Sequence, residues 1–339
     1  MTYSLDTRRY SLPFRSPLRT AHGRWSVRQG ILVRLRSSDG TTGYGEIAPI
    51  PGFGRESLDA DEEQLKLLGA MPTAEVLASV PADYACVRGA IAGALRAFAG
   101  AESSLKVTRD LLPVTALLPA GRDVLGAIPG KVELGFRNFK WKVGVGDPAD
   151  EQALLDDVLA ALPSGAKLRL DANGAWDRRQ SERWLDRCAD YPIEHVEQPI
   201  SPESRGAIDI LMGLAGDYPT PVALDESLVG QVDIETWLGR GWPGVYVVKP
   251  GILGDPAHSL GLLHRAKARV VFSSSLETGV GARHALSWAF SWPGEARALG
   301  FGVWPLFQDE RFDGPFLAPF WRWSEVSLLN PELLWNALS

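Results

Sequence analysis

The chain has 339 residues, 45% hydrophobic and 22% charged, with a formal net charge of −6. This composition supports a well-buried core, and the acidic balance argues against nucleic acid or an anionic membrane as the main partner. Two cysteines far apart in sequence, Cys86 and Cys188, exclude a disulfide framework or a four-thiolate metal site. No apolar run approaches the roughly 20 residues that span a bilayer. The N-terminus has no apolar signal core, so a cytoplasmic protein is expected.

The first stretch reads as strands followed by helices. Residues 31–36 are apolar and β-prone, 37–40 (Ser-Ser-Asp-Gly) form a turn, and 42–47 answer as the second strand of a hairpin. Residues 49–54 (Pro-Ile-Pro-Gly-Phe-Gly) are too rich in Pro and Gly for regular structure. Residues 57–100 look helical, with Val87, Ile91, Leu95 and Phe98 on one face. Strands with segregated helices predict an α+β domain over residues 1–110.

From residue 111 the rhythm changes. Short apolar segments recur at 114–118, 139–143, 168–171, 195–197, 222–225, 245–249, 270–273 and, more weakly, 299–302, about 24 to 29 residues apart. Helical stretches such as 150–162 and 255–268 lie between them. Eight strand–helix steps without a Gly-rich phosphate fingerprint predict an α/β fold of the (β/α)8-barrel type over 111–310.

Catalytic groups in such barrels lie at the C-terminal ends of the strands. Three consecutive ends each deliver a carboxylate, Asp171, Glu197 and Asp225. Alone, each could be a helix N-cap. Converging in one barrel mouth they would repel one another, which a hard divalent cation relieves, and oxygen ligands select Mg²⁺ or Mn²⁺ over zinc. Lys140 and Lys142, two apart on one strand, point to the same face, expected to be the barrel interior, with Trp141 turned outward. Lys249 arrives from the sixth strand, across the carboxylates.

A metal between opposed lysines fits proton abstraction next to a carboxylate, because the enediolate formed needs a preorganised cation. The base must be neutral, so its pKa has to fall below the ordinary lysine value of about 10.4. Lys142 is assigned as base and Lys140 as its electrostatic modulator. Arg169, two residues before Asp171 on the same face, is placed to pair with the carboxylates or meet substrate.

These residues carry a resemblance. K-x-K at 140–142, D-x-N at 171–173, E-Q-P at 197–199, D-E-S at 225–227 and V-K-P at 248–250 resemble the enolase superfamily, in its muconate-lactonizing subgroup, over essentially the whole chain. That superfamily is known to set a Lys or His base beside one or two Mg²⁺ ions. The resemblance implies a modified barrel under an N-terminal capping domain, with residues 311–339 returning to the cap. The segment 43–54 (Gly-Tyr-Gly-Glu-Ile-Ala-Pro-Ile-Pro-Gly-Phe-Gly) resembles the substrate-facing loop of that cap. With 273–277 (Ser-Ser-Ser-Leu-Glu), it points to a branch that dehydrates 2-succinyl-6-hydroxy-2,4-cyclohexadiene-1-carboxylate to o-succinylbenzoate in menaquinone or phylloquinone biosynthesis.

On that likeness the partner is a small dianionic molecule. Lys142 removes the proton and then assists loss of hydroxide, while Lys249 stabilises the enediolate as a permanent cation. Ser273 and Ser274, through hydroxyl or N–H, and the Gly300 N–H become candidates for binding substrate carboxylate; strand-end capping is the plain alternative for the serines. Racemases of N-succinylamino acids and dipeptide epimerases share these lysines and carboxylates and stay open as alternatives. The eighth strand, 300–304 (Gly-Phe-Gly-Val-Trp), lacks the Asp-x-Asp of many epimerases. A Schiff-base aldolase using Lys142 or Lys249 is a different-class alternative that leaves the carboxylates unexplained. Arg19, His22 and Arg55 in the cap are more simply surface charge, and His195, His258, His264 and His284 show no metal-ligand spacing.

Overall fold

The structure, a computed structural model, describes residues 1–20, 23–54, 56–98 and 107–338. His22, Arg55 and the side chain of Arg19 lie outside the described residues.

The N-terminal unit is a three-stranded antiparallel sheet, β1 (Ser4–Thr20), β2 (Gly23–Arg36) and β3 (Thr42–Ile47), with helices α1 (Leu58–Leu68), α2 (Ala74–Ala78) and α3 (Ala85–Leu95). The expected hairpin is β2–β3, joined through residues 37–41. Strand β1 contains Pro13 and Pro17 at the edge of this sheet, with a register shift between Pro13 and Leu18; beyond the sheet Phe14 bridges Phe307, and the Pro13 carbonyl accepts from Gln308 N–H. Ile31, Val33 and Leu35 alternate toward Leu65, Val87 and Ile91, forming the core of this unit. Helix α3 lies directly on β3: a Cβ at Gly43 or Gly45 would come within 1.9 Å of the Ala94 or Ala90 carbonyl oxygen.

Eight parallel strands follow: β4 (Leu111–Leu118), β5 (Asn138–Lys142), β6 (Lys167–Asp171), β7 (Ile193–Glu197), β8 (Val222–Leu224), β9 (Val245–Val248), β10 (Arg269–Phe272) and β11 (Leu299–Gly302). Between them run α4 (Asp123–Glu133), α5 (Pro148–Ala161), α6 (Arg178–Cys188), α7 (Ala207–Asp217), α8 (Gln231–Gly239), α9 (Pro256–Arg265) and α10 (Gly279–Ser291). Hydrogen bonding runs from β10 through β4 to β11, and a bridge between Ser273 and Gly300 brings the two ends of the sheet together. The result is the expected barrel under an N-terminal sheet domain.

Outward-facing strand residues pack on the helices. Trp141 is fully buried and meets Trp184 of α6 edge-on, as its place between two inward lysines requires. Ala223, Val245, Val247 and Val271 form a small separate apolar cluster.

The segment after residue 311 turns both ways. Strand β12 (Phe320–Arg322) pairs antiparallel with β4, and α11 (Trp323–Val326) follows it. Helix α12 (Pro331–Ala337) then reaches the N-terminal sheet, where Arg8 and Arg34 stack on the Trp335 ring.

Candidate active site

A cavity of about 300 Å³ lies at the C-terminal ends of the barrel strands. The barrel contributes Lys140, Lys142, Asp171, Asn173, Asp225, Glu226, Lys249, Ser273, Ser274 and Gly300. The N-terminal domain contributes Leu18, Trp25, Ile50, Pro51 and Phe53, so the Pro/Gly loop at 49–54 forms a wall of the cavity.

Strand register brings the carboxylates to one level. Lys142 pairs with Asp171, Asp171 with Glu197, and Glu197 with Ala223, two residues before Asp225. Lys140 Nζ bridges Asp171 Oδ2 at 2.8 Å and Glu197 Oε1 at 3.0 Å, and Lys249 Nζ contacts Asp225 Oδ1. Among the described residues no three His, Cys, Asp or Glu side chains gather around a single point; the ammonium groups stand between the carboxylates. Among the same residues nothing hydrogen-bonds the Lys142 ammonium, so one lysine of the three faces the cavity unpaired.

The electrostatics separate these lysines. Burial opposes charge on Lys140, but Asp171 and Glu197 outweigh it and hold its pKa above the ordinary value. Burial, then the Lys140 charge, pull Lys142 below the ordinary value against the attraction of Asp171. Burial pulls Lys249 down to about 7, with Lys140 acting in the same direction and Glu197 opposing. Burial would raise Glu197, yet the Lys140 ammonium outweighs it and keeps this carboxyl ionised.

Two groups not singled out in the sequence reading complete the cluster. Asn173, with a left-handed backbone (φ 44°), donates from Nδ2 to Glu226 Oε1 at 3.0 Å. Glu226 is pushed up to about 8 by burial and by the nearby charges of Asp171 and Glu197. Their remaining oxygens, Asn173 Oδ1 and Glu226 Oε2, are buried without a hydrogen-bond partner. The signal was present, since Asn173 and Glu226 stand inside the D-x-N and D-E-S motifs. All these donors are hard oxygens beside orphaned buried oxygens, a set that fits a divalent cation.

The polar groups beyond this cluster divide. Ser273 and Ser274 line the cavity, but the Ser273 hydroxyl donates to the Gly300 carbonyl at 3.1 Å and the Ser274 hydroxyl to Glu277 Oε2 at 3.0 Å. Gly300 is required by closeness, because a Cβ there would sit 2.6 Å from Ser273 Oγ. Arg169 corrects the expectation: it is not among the residues lining the cavity. It is buried in the barrel, donating from Nε to Glu194 Oε2 at 2.7 Å rather than to Asp171. His195, also buried, is kept neutral by desolvation, 3.7 Å from Glu197.

Fold and site together define a class. Residues 128–318 match the family described as enolase C-terminal domain-like, and residues 4–81 match the MenC N-terminal domain. The chain belongs to the enolase superfamily, which implies a divalent metal. A curated o-succinylbenzoate synthase from Thermosynechococcus vestitus is 43% identical over 300 residues, covering 87% of this chain and 90% of the relative. A crystal structure of o-succinylbenzoate synthase from Thermosynechococcus elongatus, with Mg in its active site, aligns with a TM-score of 0.83 at 38% identity, covering 98% and 99% of the two chains. Within the superfamily, the chain belongs to the o-succinylbenzoate synthase family. An N-succinyl Arg/Lys racemase from Bacillus cereus reaches the same TM-score of 0.83 at 18% identity, over 95% of this chain and 93% of that one. The fold alone therefore does not separate synthase from racemase.

Proposed function

We propose that this chain dehydrates 2-succinyl-6-hydroxy-2,4-cyclohexadiene-1-carboxylate to o-succinylbenzoate, with Lys142 as the base. In this reading residues 1–110 cap the site, 111–310 form the catalytic barrel, 311–339 return to the cap, and the enzyme works in the cytoplasm on a quinone precursor. The observation that carries the assignment of the base is the contrast in pairing: Lys140 and Lys249 each contact a carboxylate, whereas Lys142, also lowered in pKa, is unpaired among the described residues.

Asp171, Glu197 and Asp225 are the residues that would hold Mg²⁺, once Lys140 and Lys249 release them. When bound, the ion supplies Lewis-acid stabilisation of the charge that develops on the substrate carboxylate. Neutral Lys142 takes the proton α to that carboxylate, breaking the C–H bond. The resulting enediolate expels the ring hydroxyl, and the Lys142 ammonium returns the proton so that water leaves. Lys140 keeps Lys142 low in pKa. Lys249 supplies positive charge on the opposite side, and Ile50, Pro51 and Phe53 shield the site from water.

Lys142→Arg tests the base, because a guanidinium keeps the charge but does not deprotonate. Formation of o-succinylbenzoate should fall by at least roughly 100-fold. Wild-type turnover in that variant would overturn the assignment. A second reading, racemisation of an N-succinylamino acid, is favoured by one observation: Lys249 is drawn to about 7, where it can exchange protons instead of acting only as a fixed cation.

A further inference from the structure

Arg28, on β2 of the N-terminal sheet, has a side chain in the interior, with the residue only 1% exposed. Its guanidinium donates to four main-chain carbonyls. Two belong to its own domain, at the start of the 49–54 loop: Nη1 donates to Pro49 O at 2.5 Å and Nη2 to Ala48 O. The other two belong to the barrel loop after β10: Nη2 donates to Ser275 O and Nε to Leu276 O, both at 3.0 Å. The same guanidinium lies 5.1 Å from the Trp25 ring, which is another wall of the cavity.

The barrel loop needs such support. Leu276 has a left-handed backbone (φ 61°), which a leucine adopts only when its surroundings impose it. Glu277 braces the turn from inside, accepting from Ser274 Oγ at 3.0 Å and Ser275 Oγ at 2.7 Å. That brace shapes the turn without tying it to the lid. Glu46 of β3 holds the far end of the turn, accepting from Thr278 N at 2.9 Å and from Gly281 N at 2.8 Å. Arg28 ties Ser275 and Leu276 to residues 48 and 49, since a planar fork can serve carbonyls on two separate segments at once.

We propose that Arg28 is a positioning residue that sets the lid loop and the loop bearing Ser273 and Ser274 relative to one another. Seating of the N-terminal sheet and the substrate-ready form of residues 273–278 are then a single event. The kinetic part of the test rests on the dehydration reading; the exchange part does not.

The test compares the full-length wild type with Arg28→Lys, whose ammonium cannot span both segments. With the cyclohexadiene substrate, KM should rise about tenfold or more while kcat stays within roughly threefold, the loss expected for hydrogen bonds to a charged group. Amide hydrogen exchange should quicken in peptides covering 48–54 and 273–278 by a common factor, with α3 and β5 unchanged. Faster exchange in one loop only or in neither, or a fall in kcat at constant KM, would overturn the proposal. If Arg28→Lys does not fold, the wild type decides: at low urea the two loops should open with one free energy and one urea dependence. Two different openings would overturn it. If the wild type forms no o-succinylbenzoate, the dehydration reading fails while the exchange measurement still judges Arg28.

Discussion

The ammonium of Lys249 lies 4.6 Å from the centre of the Phe53 ring, so a residue of the 49–54 loop covers a barrel lysine. The ring excludes water and favours the cation, two effects that push the lysine pKa in opposite directions. Burial as a whole draws Lys249 to about 7, and the Phe53 ring is part of that cover. Phe53→Ala should therefore raise the Lys249 pKa toward the ordinary value. It should also lower kcat/KM by roughly tenfold, of the order of a desolvated cation–π contact. The pH profile of kcat/KM reads both effects, and an unmoved profile with unchanged kinetics would reduce Phe53 to packing.

Metal removal should stop the reaction and leave the fold. Lys140 contacts Asp171 and Glu197, and Lys249 contacts Asp225, so chelation leaves each carboxylate beside a lysine. Treatment with EDTA should abolish turnover at constant circular dichroism, with recovery on adding Mg²⁺. Asp225→Asn should weaken Mg²⁺ binding, measured by calorimetry, by about 100-fold or more, since even second-shell losses reach that range. Full activity in metal-free buffer, or a lysine trapped by borohydride, would favour Schiff-base chemistry instead.

The two lysines distinguish a synthase from a racemase. Proton loss and hydroxide departure on one face need only Lys142 to titrate, whereas racemisation needs Lys249 as its opposite partner. In deuterated water, an N-succinylamino acid should exchange its α-proton with a much lower kcat/KM than that for dehydration of the cyclohexadiene. Fast exchange with negligible dehydration would support the racemase reading and leave the base assignment standing.

Arg169 and Glu194 should matter for acid stability rather than substrate binding. Burial works against the Glu194 carboxylate, but Arg169 outweighs it and lowers the pKa to about 2. A depressed carboxylate stabilises the fold fully above its unfolded value near 4.5 and loses that contribution as pH falls toward 2. From the size of the shift, the contribution is on the order of 3 kcal/mol at neutral pH. Glu194→Gln should lower the urea midpoint at pH 7 and flatten its decline between about pH 4.5 and 2, with KM little changed. A variant with wild-type stability and a raised KM would return Arg169 to the substrate pocket.

Much of this architecture follows from local pattern. Parallel strands buried on both sides are short apolar runs ending in polar residues, so the eight barrel strands and the residues at their mouths are legible at one spacing. Alternation along β5 suffices to turn Lys140 and Lys142 inward and Trp141 outward. Strand β1 is less legible because Pro13 and Pro17 interrupt it, and its register shifts between Pro13 and Leu18. A period of two gives the face of a strand but not the depth of a residue: Arg169 shares the Asp171 face yet lies about 6.6 Å deeper, where its partner is Glu194. The sharing of the lysines among the carboxylates, the Asn173–Glu226 contact, the Phe53 ring over Lys249 and the reach of Arg28 to Leu276 join segments 24 to about 250 residues apart. Such contacts leave no periodic trace in the chain, and only the closing of the barrel under its N-terminal sheet decides them.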